Sequence, residues 1–250
     1  MKIAAIIQAR MSSKRLPNKV MLPLSGKPVL EHVIERLKYS KIIKDIIVAT
    51  SSDPSDQKIV DFCKKKNFRY FCGNLIDVLD RYYQAAKKNN IDVIARITSD
   101  CPLIDPKVVD EVLENFFSND YDFYSLGGEF PDGLDCQVFK FSALTKSWIE
   151  ATLKSDREHV GTYIEKTNPK AFKIGTLKKF KNLQKYRWTI DQIEDYEFLK
   201  KIFSKLYRNE NIFLTGDIIE LLNKEPELLS INKNITRNEG YFKSLENDKN

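Results

Sequence analysis

The sequence predicts a single-domain α/β fold with a mostly parallel central sheet, helices on both faces and a small β-hairpin or lid subregion. Short β-rich runs alternate with helical patterns through the first hundred residues, which is typical of parallel sheets with right-handed crossovers. The alternation changes at about residue 121, where turn-forming residues separate two further β-rich runs. With 250 residues and no long linker or internal repeat, the chain suits one large domain.

The first half of the chain contains four predicted strands. The apolar run from Ile3 to Ile7 is typical of a buried parallel strand. After Pro28, apolar residues recur at helical spacing, and each later strand follows another helical segment. The predicted order is strand 3–7, helix 29–37, strand 46–50, a helix that begins at 53–54, strand 68–72, helix 77–88 and strand 93–98.

The second half combines a predicted hairpin with helices. The runs 121–126 and 134–141 flank the turn-rich segment 127–133, which favours a hairpin or lid over a crossover. We therefore place one domain at 1–231, with a polar tail at 232–250 that we expect to fray or to pack on a neighbour. The other predicted elements are helices near 143–153 and 157–166, strands near 172–174 and 187–190, a helix over 194–207 and C-terminal helices within 208–231.

Composition excludes several classes of protein. The 41 basic and 35 acidic residues give a net charge of +6, too balanced for a nucleic-acid coat but suited to anionic small molecules. Four scattered cysteines and a start without a long apolar core predict reduced thiols in the cytoplasm. No apolar run reaches the ~20 residues of a membrane span. Only two histidines are present, which argues against a zinc site or a histidine-based triad.

The loop after the first strand concentrates positive charge. It holds Arg10, Lys14, Arg15 and Lys19 at the carboxyl end of a strand, where open α/β sheets bind ligands. Such cations suit a polyphosphate held by charge-assisted hydrogen bonds. The same composition fits a solvated basic loop, and composition alone leaves the two interpretations equal.

Two aspartates follow predicted strands far apart in sequence. Asp100 comes after the strand 93–98, and Asp191 comes after 187–190. Magnesium that arrives with a nucleotide takes one or two carboxylates and otherwise keeps phosphate oxygens and water. Each aspartate could instead cap the segment that follows it, and the pattern alone favours that simpler interpretation.

Five ordered sequence blocks follow the opening loop and resemble one protein family. The opening Gln8-Ala9-Arg10-Met11-x-Ser13-x-Arg15-Leu16-Pro17-x-Lys19 is similar to that of the spore coat polysaccharide biosynthesis protein F family, relatives of the acylneuraminate and 3-deoxy-manno-octulosonate cytidylyltransferases. The resemblance covers roughly residues 1–207, and so many ordered motifs are hard to obtain by chance. The later blocks are Asp77-Val78-Leu79-Asp80-Arg81-Tyr82, Arg96-Ile97-Thr98-Ser99-Asp100-Cys101-Pro102-Leu103-Ile104-Asp105, Gly133-Leu134-Asp135, Arg157-Glu158-His159-Val160 and Arg187-Trp188-Thr189-Ile190-Asp191.

The resemblance implies a glycosyltransferase-A-like nucleotidyltransferase fold and a reaction. The enzyme would move CMP from CTP to an acidic or phosphorylated sugar, or to a polyol phosphate, and release pyrophosphate for surface polysaccharide synthesis. Residues 1–120 would bind the nucleotide, and 121–207 would carry the acceptor pocket. The implied cofactor is Mg²⁺ on Asp100 and Asp191, and the implied catalytic residues are these two with Arg10 and Lys19. Analogy with the family also suggests a homodimer.

The resemblance assigns two further groups of residues. The nucleotide-binding group is Gln8, Ala9, Arg10, Ser13, Arg15, Lys19, Thr50, Arg81, Arg96 and Thr98. The acceptor-binding group is Asp135, Gln137, Arg157, Glu158 and His159. Simpler interpretations remain: Arg81 could pair with Asp77 four residues earlier on one helix, and His159 could be a partly buried helix residue.

Two departures from the family pattern leave other functions open. Ser99 replaces a glycine and Gln137 replaces a glutamate, so a non-catalytic nucleotide-binding relative is one alternative. A glycosyltransferase with a nucleotide-sugar donor is another, because the same fold places acidic residues and a metal at strand ends. The dense cationic loop favours a user of triphosphates over a user of diphosphate donors.

Overall fold

The computed structural model describes residues 1–209, 211–237 and 239–248, and in this part of the chain the core is a seven-stranded sheet. The strands lie in the order β5-β4-β1-β6-β8-β7-β9. Only β8 runs antiparallel to its neighbours in this sheet, so the predicted mostly parallel sheet is confirmed. The strands are β1 (Ile3–Gln8), β4 (Asp45–Ser51), β5 (Arg69–Gly73), β6 (Val93–Thr98), β7 (Phe123–Leu126), β8 (Gln137–Lys140) and β9 (Ile174–Leu177), with a separate two-stranded sheet of β2 (Pro23–Leu24) and β3 (Lys27–Pro28).

Helices cover both faces of the sheet. Alternate residues of β1 face opposite sides, as strand geometry requires: Ala5 and Ile7 join one apolar cluster, and Ala4 and Ile6 join the other. The first cluster includes α1, α2, α4, α7 and α8, and the second includes α3 and α5. The helices are α1 (Val29–Leu37), α2 (Gln57–Lys65), α3 (Val78–Lys88), α4 (Pro106–Ser118), α5 (Phe141–Glu150), α6 (Lys154–Glu158), α7 (Ile193–Leu206), α8 (Thr215–Lys224) and α9 (Glu239–Asn247).

The predicted hairpin is part of the main sheet. β7 and β8 pair antiparallel, with Phe123 opposite Phe139, and β8 also pairs with β6. The turn before β8 contains Gly133 at φ 105°, where a Cβ atom would lie 2.6 Å from the backbone of Trp188. Glycine is therefore required here both for the left-handed backbone and for the close approach.

The predicted strand at 187–190 is wrong. This segment forms one isolated bridge, between Arg187 and Asp132, and its other backbone contacts reach single residues, as from the Ile190 N–H to the Asp100 carbonyl at 2.9 Å. The segment is held by burial of Trp188, which is 0% exposed. Burial of the Trp188 side chain therefore holds this segment, where a strand would be held by a series of backbone hydrogen bonds.

The tail that we expected to fray or to pack on a neighbour contains a helix docked on its own chain. Helix α9 packs against α6, and the Asp248 carboxylate accepts a hydrogen bond of 3.0 Å from the Ser155 N–H. Sequence composition missed this helix because its contacts are mainly polar. Among the described residues, we find no helix with the length and hydropathy that crossing a membrane requires.

Replacing Trp188 by alanine should lower the free energy of unfolding by about 3–5 kcal/mol, because truncating a buried aromatic residue removes its apolar contacts and leaves a cavity. Chemical denaturation measures the change. The control is Ile193→Ala, at a side chain 52% exposed nearby, for which we expect at most about 0.5 kcal/mol. Equal effects of the two substitutions would contradict the anchoring role of Trp188.

Candidate active site

A cavity of about 520 Å³ opens at the carboxyl ends of β1 and β6. It joins the opening loop to the two aspartates and to the segment after α6, although these parts are far apart in sequence. The predicted site residues that line it are Gln8, Ala9, Arg10, Ser13, Arg15, Lys19, Arg81, Thr98, Asp100, Glu158, His159 and Asp191. The predicted site residues outside its lining are Thr50, Arg96, Asp135, Gln137 and Arg157.

The Lys19 ammonium group lies between the two aspartates. Its Nζ is 2.5 Å from Oδ2 of Asp100 and 2.7 Å from Oδ1 of Asp191. The Lys19 side chain is 12% exposed, so the ion pairs are largely shielded from water. Arg15 adds a contact of 2.8 Å to the same Oδ1 of Asp191. The structure thus brings together two predicted metal ligands and two predicted phosphate-binding cations.

The protonation states in this cluster follow from burial and charge. Burial alone would raise the pKa of Asp100, but the neighbouring Lys19 ammonium outweighs it and lowers the pKa to about 2. Burial lowers the pKa of Lys19, yet the attraction of Asp100 and Asp191 prevails and raises it. Lys19 is therefore positively charged and Asp100 is ionised beside it.

The donor set fits a magnesium ion. One oxygen of Asp100 and one of Asp191 converge on a single point, where Lys19 supplies the cation. In the described part of the chain, no group of three or more histidine, cysteine, aspartate or glutamate residues is arranged to hold a metal. Magnesium commonly uses one or two carboxylates and completes its shell with phosphate oxygens and water, so this pair suits a metal that arrives with a nucleotide.

A buried ionic network fixes the position of Asp191. Arg187 contacts Oδ2 of Asp191 at 3.2 Å, Asp132 at 2.6 Å and Asp195 at 2.8 Å. Asp195 is 0% exposed and accepts a hydrogen bond of 2.9 Å from the Asp191 N–H. Nothing in the sequence singles out Asp132 and Asp195 for this role. Asp132, Asp191 and Asp195 come together around Arg187 only in the folded chain.

A second buried carboxylate fixes the opening loop. Asp56 is 0% exposed and accepts hydrogen bonds from the Met11 N–H at 2.7 Å and from the Ser51 hydroxyl at the end of β4. The loop therefore begins from a rigid position, and Arg10 projects from it with 46% of its side chain exposed. Its nearest acidic contact, Oε1 of Glu158, is 3.9 Å away, so Arg10 can meet an anionic ligand. The sequence places Asp56 near the start of a helix but does not indicate its hydrogen bond to the loop.

Among the predicted nucleotide-binding residues, Arg81 is bonded within the protein, whereas Thr50 and Gln8 each have a polar atom without a partner in the described part of the chain. Arg81 is 1% exposed and donates from Nη2 to the Leu75 carbonyl at 3.0 Å. The alternative pairing of Arg81 with Asp77 is wrong, because Asp77 caps α3 and pairs with Arg157 at 2.5 Å. Among the described residues, the buried Thr50 hydroxyl and the Gln8 Oε1 atom have no hydrogen-bond partner. Gln8 lines the cavity, so its Oε1 atom lies where a ligand could meet it, whereas Thr50 is buried outside the lining.

The acceptor-binding group is divided by the structure. Glu158 and His159 line the cavity. Gln137 instead accepts from Arg96 at 2.9 Å and donates to Glu165 at 3.0 Å. The Asp135 carboxylate accepts a hydrogen bond of 3.0 Å from the Gly133 N–H. Arg157 forms an ion pair with Asp77. The acceptor role of Asp135, Gln137 and Arg157 stays a prediction.

Ser99 fits the backbone before Asp100. It is absent from the residues with positive φ in the described chain, so the position does not demand glycine. Its N–H donates to the Gln8 carbonyl at 3.1 Å, which joins the ends of β1 and β6 beside the cavity. The substitution therefore leaves the geometry next to Asp100 intact.

Replacing Lys19 by methionine should raise the pKa of Asp100 above its usual value of 3.8, because burial and the Asp191 charge remain while the ammonium is lost. In the wild type, the lowered pKa means that ionised Asp100 stabilises the fold above about pH 4, and this contribution is lost as the pH falls towards 2. A carboxyl NMR titration of metal-free protein measures the shift. Lys65→Met on the exposed face of α2 is the control, and an unshifted Asp100 in the Lys19 variant would contradict the prediction.

Comparisons with known proteins agree with this geometry. The family model described as cytidylyltransferase matches residues 4–234. The chain is 41% identical to an uncharacterized protein of Methanocaldococcus jannaschii, over 94% of this chain and 96% of the relative. It is 33% identical to the spore coat polysaccharide biosynthesis protein SpsF of Bacillus subtilis, over 90% of this chain and 95% of that protein.

A solved structure is similar over nearly the same length. It is a cytidylyltransferase from Leptospira borgpetersenii, with a TM-score of 0.86, 38% sequence identity, and coverage of 94% of this chain and 98% of that one. The resemblance and the nucleotidyltransferase-like fold predicted from the sequence are thereby confirmed. This chain belongs to the cytidylyltransferase family of nucleotidyltransferases.

Proposed function

We propose that this enzyme transfers CMP from CTP to an acidic or phosphorylated sugar, or to a polyol phosphate, and releases pyrophosphate. The observation that carries the proposal is the cavity in which the carboxylates of Asp100 and Asp191 converge beside a loop of four cations. We further propose that the reaction occurs in the cytoplasm, in a homodimer, and supplies a surface polysaccharide. These settings rest on the family resemblance.

The proposed reaction is an in-line displacement at the α-phosphorus of CTP. An acceptor oxygen forms a bond to this phosphorus while the bond to the bridging oxygen of the β-phosphate breaks, and pyrophosphate leaves with that electron pair. Catalysis of such transfers depends mainly on positioning and on neutralising charge. Arg10 and Lys19 would contact the β- and γ-phosphates. Lys19 gives two of its three N–H groups to the aspartates, so one remains for a phosphate oxygen.

Asp100 and Asp191 would hold Mg²⁺ when the nucleotide binds. The metal supplies Lewis-acid polarisation of a phosphoryl oxygen. Arg187 and the buried Asp195 keep the Asp191 carboxylate oriented towards the cavity. Arg15 ties the loop to Asp191 and contacts Glu239 at 3.5 Å, so its role combines phosphate binding with loop positioning.

Thermal unfolding with single nucleotides tests the choice of substrate. A ligand that binds only the folded state raises the melting temperature. In the presence of magnesium, we expect a larger shift with CTP than with UTP, ATP or GTP. Asp100→Asn should abolish the magnesium-dependent part. A shift with a nucleoside diphosphate sugar and none with any triphosphate would overturn the proposal in favour of a glycosyltransferase. Binding of CTP without acceptor-dependent pyrophosphate release would indicate a non-catalytic relative.

Replacing Arg10 or Lys19 by alanine should lower the rate of pyrophosphate release by a factor of about a hundred or more, because each removes a positioned positive charge from the transition state. The variants should remain folded by circular dichroism. Lys65→Ala removes the same charge from an exposed helix face and serves as the matched control. Turnover at the wild-type rate in either active-site variant would show that the phosphate role is wrong.

A further inference from the structure

Helix α9 forms one wall of the cavity. Gly240 and Ser244, one helical turn apart, both line it, and Ser244 is 5% exposed. A Cβ atom on Gly240 would have Nη1 of Arg15 as its nearest neighbour, at 3.9 Å. The start of α9 therefore lies beside the cations of the opening loop, and Ser244 lies further along the wall.

Ser244 is hydrogen-bonded to three residues that line the same cavity, and one of these contacts is to the Gly240 carbonyl at 3.1 Å. Its Oγ is 2.8 Å from Oε2 of Glu158 and 2.8 Å from Nε2 of His159. The single hydroxyl proton goes preferentially to the carboxylate, because charge-assisted hydrogen bonds are stronger. Nε2 of His159 then donates its proton to the Ser244 oxygen. The three side chains form a connected polar cluster, which we name the Ser244–Glu158–His159 cluster.

This cluster retains unused hydrogen-bonding capacity. Burial lowers the pKa of His159, and a neutral imidazole that donates from Nε2 has an accepting Nδ1. Oε1 of Glu158 has a long contact of 3.9 Å with Arg10. The cluster is therefore rich in acceptors and suits a ligand that brings hydroxyl protons, as a sugar or polyol does. A carboxylate or phosphate on the same ligand would meet Arg10.

The wall lies beyond the part of the chain that the family model matches. That match ends at residue 234, whereas α9 spans Glu239–Asn247. The triphosphate cations and both aspartates lie inside the matched part. A wall contributed from outside it can differ between relatives without changing the residues that handle the triphosphate.

We propose that Ser244 is a positioning residue that orients Glu158 and His159 in a subsite for an acceptor hydroxyl group. The inference rests on the proposed function, because it assigns one end of the acceptor in that reaction. Tyr241 supports the arrangement, since its ring meets His159 edge-on with ring centroids 5.3 Å apart. Asp248 holds the end of the helix through the Ser155 N–H. These contacts keep α9 docked when the serine hydroxyl is removed.

The test compares full-length variants in pyrophosphate release with CTP and three acceptors: 3-deoxy-manno-octulosonate, N-acetylneuraminate and glycerol 3-phosphate. Ser244→Ala should raise the KM of the acceptor used by the wild type by roughly tenfold, because Glu158 and His159 lose the hydroxyl that orients them and with it about one hydrogen bond to the acceptor. The KM of CTP should stay within about twofold of the wild type, since the triphosphate residues are untouched. Ser244→Thr keeps the hydroxyl and should restore most of the acceptor KM.

The matched control is Phe242→Ala, on the same helix with a side chain 55% exposed and outside the lining of the active-site cavity. It should leave both KM values unchanged. An unchanged acceptor KM in Ser244→Ala, or equal changes for acceptor and CTP, would overturn the inference while leaving the proposed function standing. Absence of release by the wild type with all three acceptors would overturn the proposed function and the inference with it.

Discussion

The contact of the Lys19 ammonium with Asp100 and Asp191 is the constraint on which the site depends. Two carboxylates whose oxygens approach one point would repel each other, and burial penalises each charge. The ammonium at 2.5 and 2.7 Å offsets both effects and joins the opening loop, the end of β6 and the segment after Trp188. Buried ion pairs are poor evidence for stability, since their desolvation cost can equal their attraction. Their presence here argues for a functional role.

Buried carboxylates hold the loops of this site in place. Asp56 fixes the first residues of the loop, and Asp195 fixes the backbone of Asp191 together with the Arg187 guanidinium. Asp132 adds a third contact to Arg187. Each of these groups is satisfied by N–H or O–H donors, as buried charges require. The side chains that line the cavity are thus carried by segments whose backbone positions are fixed by buried hydrogen bonds.

The sequence predicted the parallel strands well because burial on both faces imposes long apolar runs, as in β1. It failed at 187–190 because β-forming residues there serve one anchor, Trp188, and a single bridge to Asp132. It did not find α9, because this short helix is docked mainly through hydrogen bonds of Ser244 and Asp248 that depend on the fold. The pairing of Arg81 with Asp77 failed because a capping carboxylate points to the helix start, here towards the Asp80 N–H and Arg157. Asp195 could not be found, since its role depends on a turn that only the fold creates.

Charge balance supports the proposal that a triphosphate enters this cavity together with a divalent cation. The lining of the cavity carries five cationic side chains, those of the opening loop and Arg81, against three carboxylates, those of Asp100, Asp191 and Glu158, so positive charges exceed negative charges by two when no ligand is bound. Arg15 and Lys19 already contact Asp191, whereas Arg10 has only a long contact of 3.9 Å with Glu158. A triphosphate carries more negative charge than such a site can neutralise. A divalent cation held by Asp100 and Asp191, as we propose, would supply the missing positive charge.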